Sequence, residues 1–277
     1  MLQLEYRLSH VGKISSSGTA RILFTSLMLS LILNFNLMAQ FTEVKSGVYE
    51  WDKLSVRKGE MREGRRLMEG SSPHFEYLEI HATTQQPGAK PAPPHTQEAI
   101  EEVLIVKEGK MKMTMDGESH ILGPSSVILI PPLVEQSLEN VGDTPLTYYV
   151  MMFRSKKPMD LERVEKAGGK RFINADDLIS QKTAKGFRVN YLDGPTAMCE
   201  NFEMHITQLD HKGPSHDPHK HADSEIMLIL EGETELNLDG ELIHAKAGDL
   251  YFIKSGQMHG ISNVGDASAK YFAYRWR

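Results

Sequence analysis

His219, His221, Glu225 and His259 combine three imidazoles with one carboxylate at spacings that can close on a single cation. The first stretch runs Gly213, five residues, His219-Lys220-His221, three residues, Glu225, six residues, Gly232. A second begins at Gly248 and continues through Lys254, Gly256 and His259 to Asn263. On an extended strand, side chains two apart share a face, so His219 and His221 point together, and Glu225 keeps that parity if no bulge intervenes. His259 has to arrive from another strand, with the intervening hairpin providing the return. Three neutral nitrogens and one hard oxygen suit one divalent first-row transition ion (Fe, Mn, Ni, Co, Cu or Zn) with positions left over for a ligand. The competing reading, solvated loop histidines, suits His10, His74 and His211 better than this set.

The elements that position these residues come in two copies. Val103-Leu-Ile-Val-Lys-Glu-Gly109, leading to Asp116-Gly117, matches Ile226-Met-Leu-Ile-Leu-Glu-Gly232, leading to Asp239-Gly240, at an offset of 123 residues. The match continues to Asn140-Val141-Gly142 against Asn263-Val264-Gly265. Asp-Gly pairs between short apolar runs are type I′ hairpin signals. Runs such as Val127–Ile130 and Asp249–Ile253, punctuated by Gly or Pro, point to antiparallel sandwiches or barrels and not to βαβ units. Residues 155–185 change character: Asp160–Ala167 reads as a short helix closed by Gly168-Gly169, with another helical turn near Asp176–Gln181. Phe172 and Ile173 make this a packed connector, while the polar Arg57–Gly70 stretch belongs on the surface.

These residues resemble the paired motifs of the cupin superfamily, G-x5-H-x-H-x3,4-E-x6-G and G-x5-P-x-G-x2-H-x3-N. Every defined position is present except that Lys254 stands for the proline. The resemblance implies an all-β protein of two tandem cupin jelly-roll barrels joined by a short helical connector. Its parts would be an N-terminal cupin domain at 40–154, the connector at 155–185, and a C-terminal cupin domain at 186–277 with the intact metal site. The carboxyl-terminal half, with Phe202-Glu-Met-His-Ile206 and Gly213-Pro-Ser-His216, is also similar to the second barrel of ureidoglycine aminohydrolases. That family takes its ligands in a different order, Glu first and Gln last, so its activity is the alternative and not the first reading.

In the first copy, His95, Gln97, Glu102 and Gln136 occupy the positions of His219, His221, Glu225 and His259, once one residue is allowed for before Glu102. Neutral amide oxygens are weak ligands for a borderline ion, so the metal is expected in the C-terminal barrel alone. Lys254 is expected on a strand end, His216 at the rim, and His205 and His211 in the same His-rich stretch. Tyr251 and Tyr271 read as core aromatics, Arg275 as part of a terminal strand, and Met204, Met227 and Met258 as pocket wall or core.

Residues 1–39 read as a secretory signal: Arg7, Lys13 and Arg21 precede the apolar run Ile22–Ala39, with cleavage expected near Ala39. A retained membrane anchor is the rival reading, and Met28 is an alternative start. Asn34 and Asn36 interrupt a run already short of the ~20 residues that a span needs, so no stable membrane span is expected after processing. Removing these residues takes three basic and one acidic side chain, moving the formal charge from −6 to −8. With no basic stripe, nucleic acid is excluded as a partner. Cys199 is the sole cysteine, so no intrachain disulfide forms. The expected setting is secreted or periplasmic, and exposed sheet edges point to a homodimer.

Cupins with this ligand set include dioxygenases, isomerases, lyases and hydrolases, and fold does not choose among them. The expectation is a metalloenzyme acting on a small oxygen-rich molecule such as a sugar acid, hydroxy acid or phenol. The competing class is a non-catalytic module that holds a small ligand through its metal.

Overall fold

Residues 41–277 are described by the computed structural model, and the expected signal at 1–39 lies outside them. Among the described residues no helix is long and apolar enough to cross a membrane. Period-two alternation builds the strands. Met111–Met115 buries its three methionines and turns Lys112 and Thr114 outward, as Glu233–Leu238 buries Thr234, Leu236 and Leu238. Each strand leads into the expected tight turn. Asp116 and Gly117 have φ of 47° and 81°, Asp239 and Gly240 52° and 93°, so both hairpins are type I′.

Each half folds into a seven-stranded and a four-stranded antiparallel sheet. Val127–Ile130 and Leu250–Ile253 are buried at every position, which departs from alternation for a physical reason. Val127 and Leu129 face a core shared by the two large sheets, whereas Ile128 and Ile130 face the inside of their own barrel. Leu250 and Phe252, against Tyr251 and Ile253, divide the same way. The fold is thus two tandem cupin-type barrels packed back to back on a third, common core. Phe75 stacks on Trp276 there at 5.3 Å between ring centroids, and on Phe153 at 4.8 Å.

Sheet membership crosses the sequence boundaries. Gly47–Tyr49, within the stretch assigned to the N-terminal domain, pairs with Leu250–Ile253 of the C-terminal sheet. Reciprocally, Arg171–Ile173 from the connector pairs with Val127–Ile130. The helix of the connector spans Leu161–Lys166, capped by Asp160, which accepts from the Arg163 amide at 2.8 Å. The turn expected near 176–181 is instead a 3-10 turn at Ala175–Asp177 followed by the strand Gln181–Thr183. Arg57–Gly70 is also not simply surface. It supplies the strands Val56–Lys58 and Arg62–Gly70, and Leu67 and Met68 pack into the common core.

One buried carboxylate ties the halves together. Glu101 begins an N-terminal barrel strand, yet it accepts from Thr196 Oγ1 at 2.6 Å and from the amides of Ala197 and Met198 at 3.1 and 2.9 Å. Burial outweighs these bonds and pushes its pKa up to about 7. Between about pH 4.5 and 7 the folded state therefore keeps a proton that the unfolded state has lost, so this group's contribution falls as pH rises and is gone above about 7. Glu101→Gln should flatten that decline. The wild-type-minus-variant stability, from urea unfolding, should drop by about 3 kcal/mol between pH 4.5 and 7.5. Parallel profiles for the two proteins would show that Glu101 does not titrate there.

Candidate functional site in the C-terminal barrel

Backbone pairing brings the distant ligand candidates together. His219 forms an antiparallel bridge with His259, the two exchanging N–H···O bonds of 2.9 and 2.8 Å. His259 opens the strand His259–Asn263, and Glu225 lies near the start of Ser224–Glu231. Strand parity does not carry His221 to Glu225, because Ala222 and Asp223 bend the chain before the strand starts. The bend is held from outside. The Ala222 carbonyl accepts from Ser255 Oγ at 2.6 Å and lies 3.0 Å from His74 Nε2, so His74 is a brace from the N-terminal half and not a free loop histidine.

The ring nitrogens of His219, His221 and His259 lie within 4.8 Å of one another and could hold a metal ion. Glu225 Oε2 is 3.1 Å from Nε2 of both His221 and His259. Their Nδ1 atoms sit 3.1 and 2.9 Å from the carbonyls of Asp223 and Gln257. Carbonyls only accept, so each Nδ1 carries a proton, and Nε2 is the ring atom that meets Glu225 and is placed to serve as a metal ligand. Three imidazoles and a carboxylate converging on one point are a donor set suited to a cation. Donors sharing an ion through bonds of about 2.1 Å sit about 3 Å apart, the spacing of Glu225 from His221 and His259, and with His219 beside them the residues present fit a metal ion. Burial opposes ionisation of Glu225, but the two imidazoles win and hold its carboxyl down at about 2. His259 is raised by the same carboxylate despite its burial, and His219 is lowered by burial and by its neighbouring imidazoles.

A cavity of about 180 Å³ opens beside this cluster. Its wall also contains residues that sequence order does not connect. Glu203 accepts from Arg188 Nη2 at 2.7 Å through one oxygen and from Arg275 Nε at 2.7 Å through the other. Burial lowers the His205 pKa to about 4, leaving that ring neutral. Tyr271 turns its hydroxyl to Ser215 Oγ at 3.1 Å, and burial pushes its pKa up to about 12. Of the other residues noted in the sequence, Met227 and His216 line the cavity, and His216 stacks edgewise on His219 at 4.5 Å. Met204 and Tyr251 are core, Met258 and His211 are exposed, and Lys254 pairs with Glu43 at 3.2 Å, away from the cavity. The missed wall had a signal: Glu203-Met-His205-Ile-Thr207 repeats Glu79-Ile-His81-Ala-Thr83 at an offset of 124.

The first copy solves the same electrostatic problem differently. Gln136 Nε2 donates to Glu102 Oε2 at 2.9 Å, so an amide N–H meets the carboxyl where the second barrel has an imidazole. His95 is exposed on a two-residue strand paired with Glu135 and Gln136. The closing asparagines are structural. Asn140 and Asn263 each bond two backbone carbonyls and accept from the glycine amide two residues on, Gly142 and Gly265.

The cupin domain model matches residues 82–152 and 205–274, together just over half of the chain. The chain belongs to the cupin family. It is a bicupin, with one such domain in each half. No curated protein matches it by sequence. Among solved structures, this bicupin is similar to protein Ylba from E. coli at 18% identity, covering 88% of this chain and 96% of that one with a TM-score of 0.65. It is similar also to the oxalate decarboxylase of Lactobacillus farciminis in a formate complex (14% identity, 84% and 87% covered, TM-score 0.66). The Bacillus subtilis oxalate decarboxylase, described for its Mn(II) centers, matches at 13% identity, with 86% and 78% covered and a TM-score of 0.60. At these identities the likeness establishes the shared fold.

Proposed function

We propose that the C-terminal barrel is a metal-dependent catalytic site for a small oxygen-rich acid, a sugar acid or hydroxy acid, in isomerase, lyase or dioxygenase chemistry. One observation carries this reading: His219, His221 and Glu225, the inner ends of a cluster that His259 completes, line one cavity sized for a small molecule together with Arg188 and Arg275. A cavity of this size holds a ligand of roughly benzene size. A bound divalent ion would supply Lewis acidity at a ligand oxygen. Arg188 and Arg275 would orient an anionic group, with Glu203 holding both guanidinium groups in place. Neutral His205 and the protonated Tyr271 would offer hydrogen bonds to hydroxyl or carbonyl oxygens. The oxalate decarboxylases among the similar structures act on a carboxylate, which agrees with this reading.

A ligand-holding module is the second reading, favoured by the commitment of both cavity carboxylates: Glu203 to arginines, Glu225 to imidazoles. Turnover separates the two. Protein reconstituted anaerobically with Fe, Mn, Ni or Zn should convert at least one member of a panel of sugar and hydroxy acids. Arg188→Gln should then raise KM about 10- to 100-fold, the worth of a charge-assisted bond of about 1.5–3 kcal/mol. Ligand-dependent rises in Tm without turnover for any metal would establish the module instead.

A further inference from the structure

Strand register allows the two barrel interiors to be compared row by row. In the C-terminal sheet, three rows run along the cavity, and all their members but Asn190 line it: Arg188, Thr207 and Tyr271; then Asn190, His205 and Ala273; then Glu203, Arg275 and Glu225. The corresponding N-terminal rows are Gly64, Thr83 and Tyr148; Arg66, His81 and Val150; and Glu79, Met152 and Glu102. The Thr, Tyr, His and two Glu positions are retained. Both arginine positions are lost, to Gly64 and Met152.

The lost charge reappears elsewhere on the same face. Arg57 lies opposite Gly64 on the next strand out, where the second barrel has Gln181 opposite Arg188. A side chain at Gly64 would meet the Arg57 guanidinium at 3.8 Å, so the glycine leaves open the space that Arg188 fills in the other copy. Arg66 takes the Asn190 position and reaches Glu79 at 3.6 Å. Together these changes open a groove of about 450 Å³ that includes Arg57, Arg65, Arg66, Glu79, His81 and Thr83.

Charge in the groove is unbalanced. Glu79 is ionised, its pKa lowered to about 2 chiefly by the bond with His81. Arg65 and Arg66 have outside partners in Glu63 and Glu69. Among the described residues Arg57 has no ion-pair partner; its neighbour Lys58 takes Glu63 instead. His81 Nδ1 lies 3.3 Å from Glu79 Oε1, as His205 Nδ1 lies 3.4 Å from Glu203 Oε1 at the same place in the other cavity, so the acid–imidazole pair is retained in both copies.

We propose that this groove is a second, metal-independent binding site that takes the oxyanion of a small organic acid through Arg57 and Arg66. His81 and Thr83 complete it by bonding the remainder of the ligand. Nothing in this assignment depends on what the C-terminal barrel catalyses. Arginine suits the role because its planar fork matches an oxyanion. The exposure of Arg57 at the rim makes the interaction moderate and salt-sensitive.

Isothermal titration of citrate into protein dialysed against a chelator tests the site. Saturable binding should appear in the wild type and persist in Arg188→Gln and in His259→Ala, which disable the other cavity. Arg57→Gln should weaken it about tenfold and Gly64→Arg should abolish it, with melting curves showing that both variants remain folded. If Gly64→Arg does not fold, Arg57→Gln alone decides. Glucose, a neutral polyol, should give no saturable heat. The proposal is overturned if citrate does not bind, if Arg57→Gln binds as the wild type does, if Arg188→Gln abolishes binding, or if glucose binds equally well.

Discussion

His259→Ala should empty the C-terminal site and abolish turnover while both barrels stay folded. His259 is fully buried, its Nδ1 fixed by the Gln257 carbonyl and its Nε2 aimed at Glu225. Alanine removes one of few donors and leaves Glu225 with a single imidazole against it, so the remaining set can no longer enclose an ion. Changes to residues that merely orient a ligand cost about 10- to 100-fold in metal affinity, and loss of the donor itself should cost more. Elemental analysis after dialysis should find close to one equivalent in the wild type and far less in the variant. His95→Ala is the control: His95 is exposed, and Gln136 already donates to Glu102, so metal content should hold. Equal metal loss in the two variants would show that the ion is not confined to the C-terminal barrel.

Trp276→Ala should destabilise the protein by about 3–5 kcal/mol, at the top of the range for core substitutions. Trp276 is the penultimate residue but has no exposure, and its ring stacks on Phe75 of the other barrel, tilted by only 8°. It also lies 6.3 Å from Phe202 and 6.4 Å from Phe252. The cavity left behind would open at the centre of the core that both sheets share, so the barrels should weaken together. Trp276→Phe should cost much less. The indole N–H is buried without a partner, so phenylalanine removes an unpaired donor along with part of the ring. Urea midpoints for the three proteins give the comparison, and equal losses for Ala and Phe would refute the stacking account.

The repeat, the hairpins and the ligand candidates were legible because each depends on local chemistry. Asp-Gly pairs need positive φ wherever they occur, and period-two alternation marks one buried face without reference to its partner. The back-to-back core was visible only as a departure from that rule, in runs such as Val127–Ile130 that are apolar on both faces. Glu101 and Glu102 show the limit. They are adjacent, and one faces the interior beside Gln136 while the other crosses to the 196–198 turn. Nothing in their order separates an inner-facing acid from one that joins the halves.

The sequence by itself determined that two copies of one β unit are present, that their turns close tightly, and that only one copy carries three imidazoles with a carboxylate. These are properties of residue type and spacing along the chain. Tertiary structure alone decided which side chains share a cavity with that set. Arg188, Glu203 and Arg275 lie on three strands, and only lateral pairing of the sheet brings them together. It likewise decided that Gly47–Tyr49 completes the far barrel's sheet and that Arg57 stands over Gly64. The physical reason is that hydrogen-bonded register between strands distant in sequence is set by which apolar faces must be buried together, a condition of the whole fold and of no single segment.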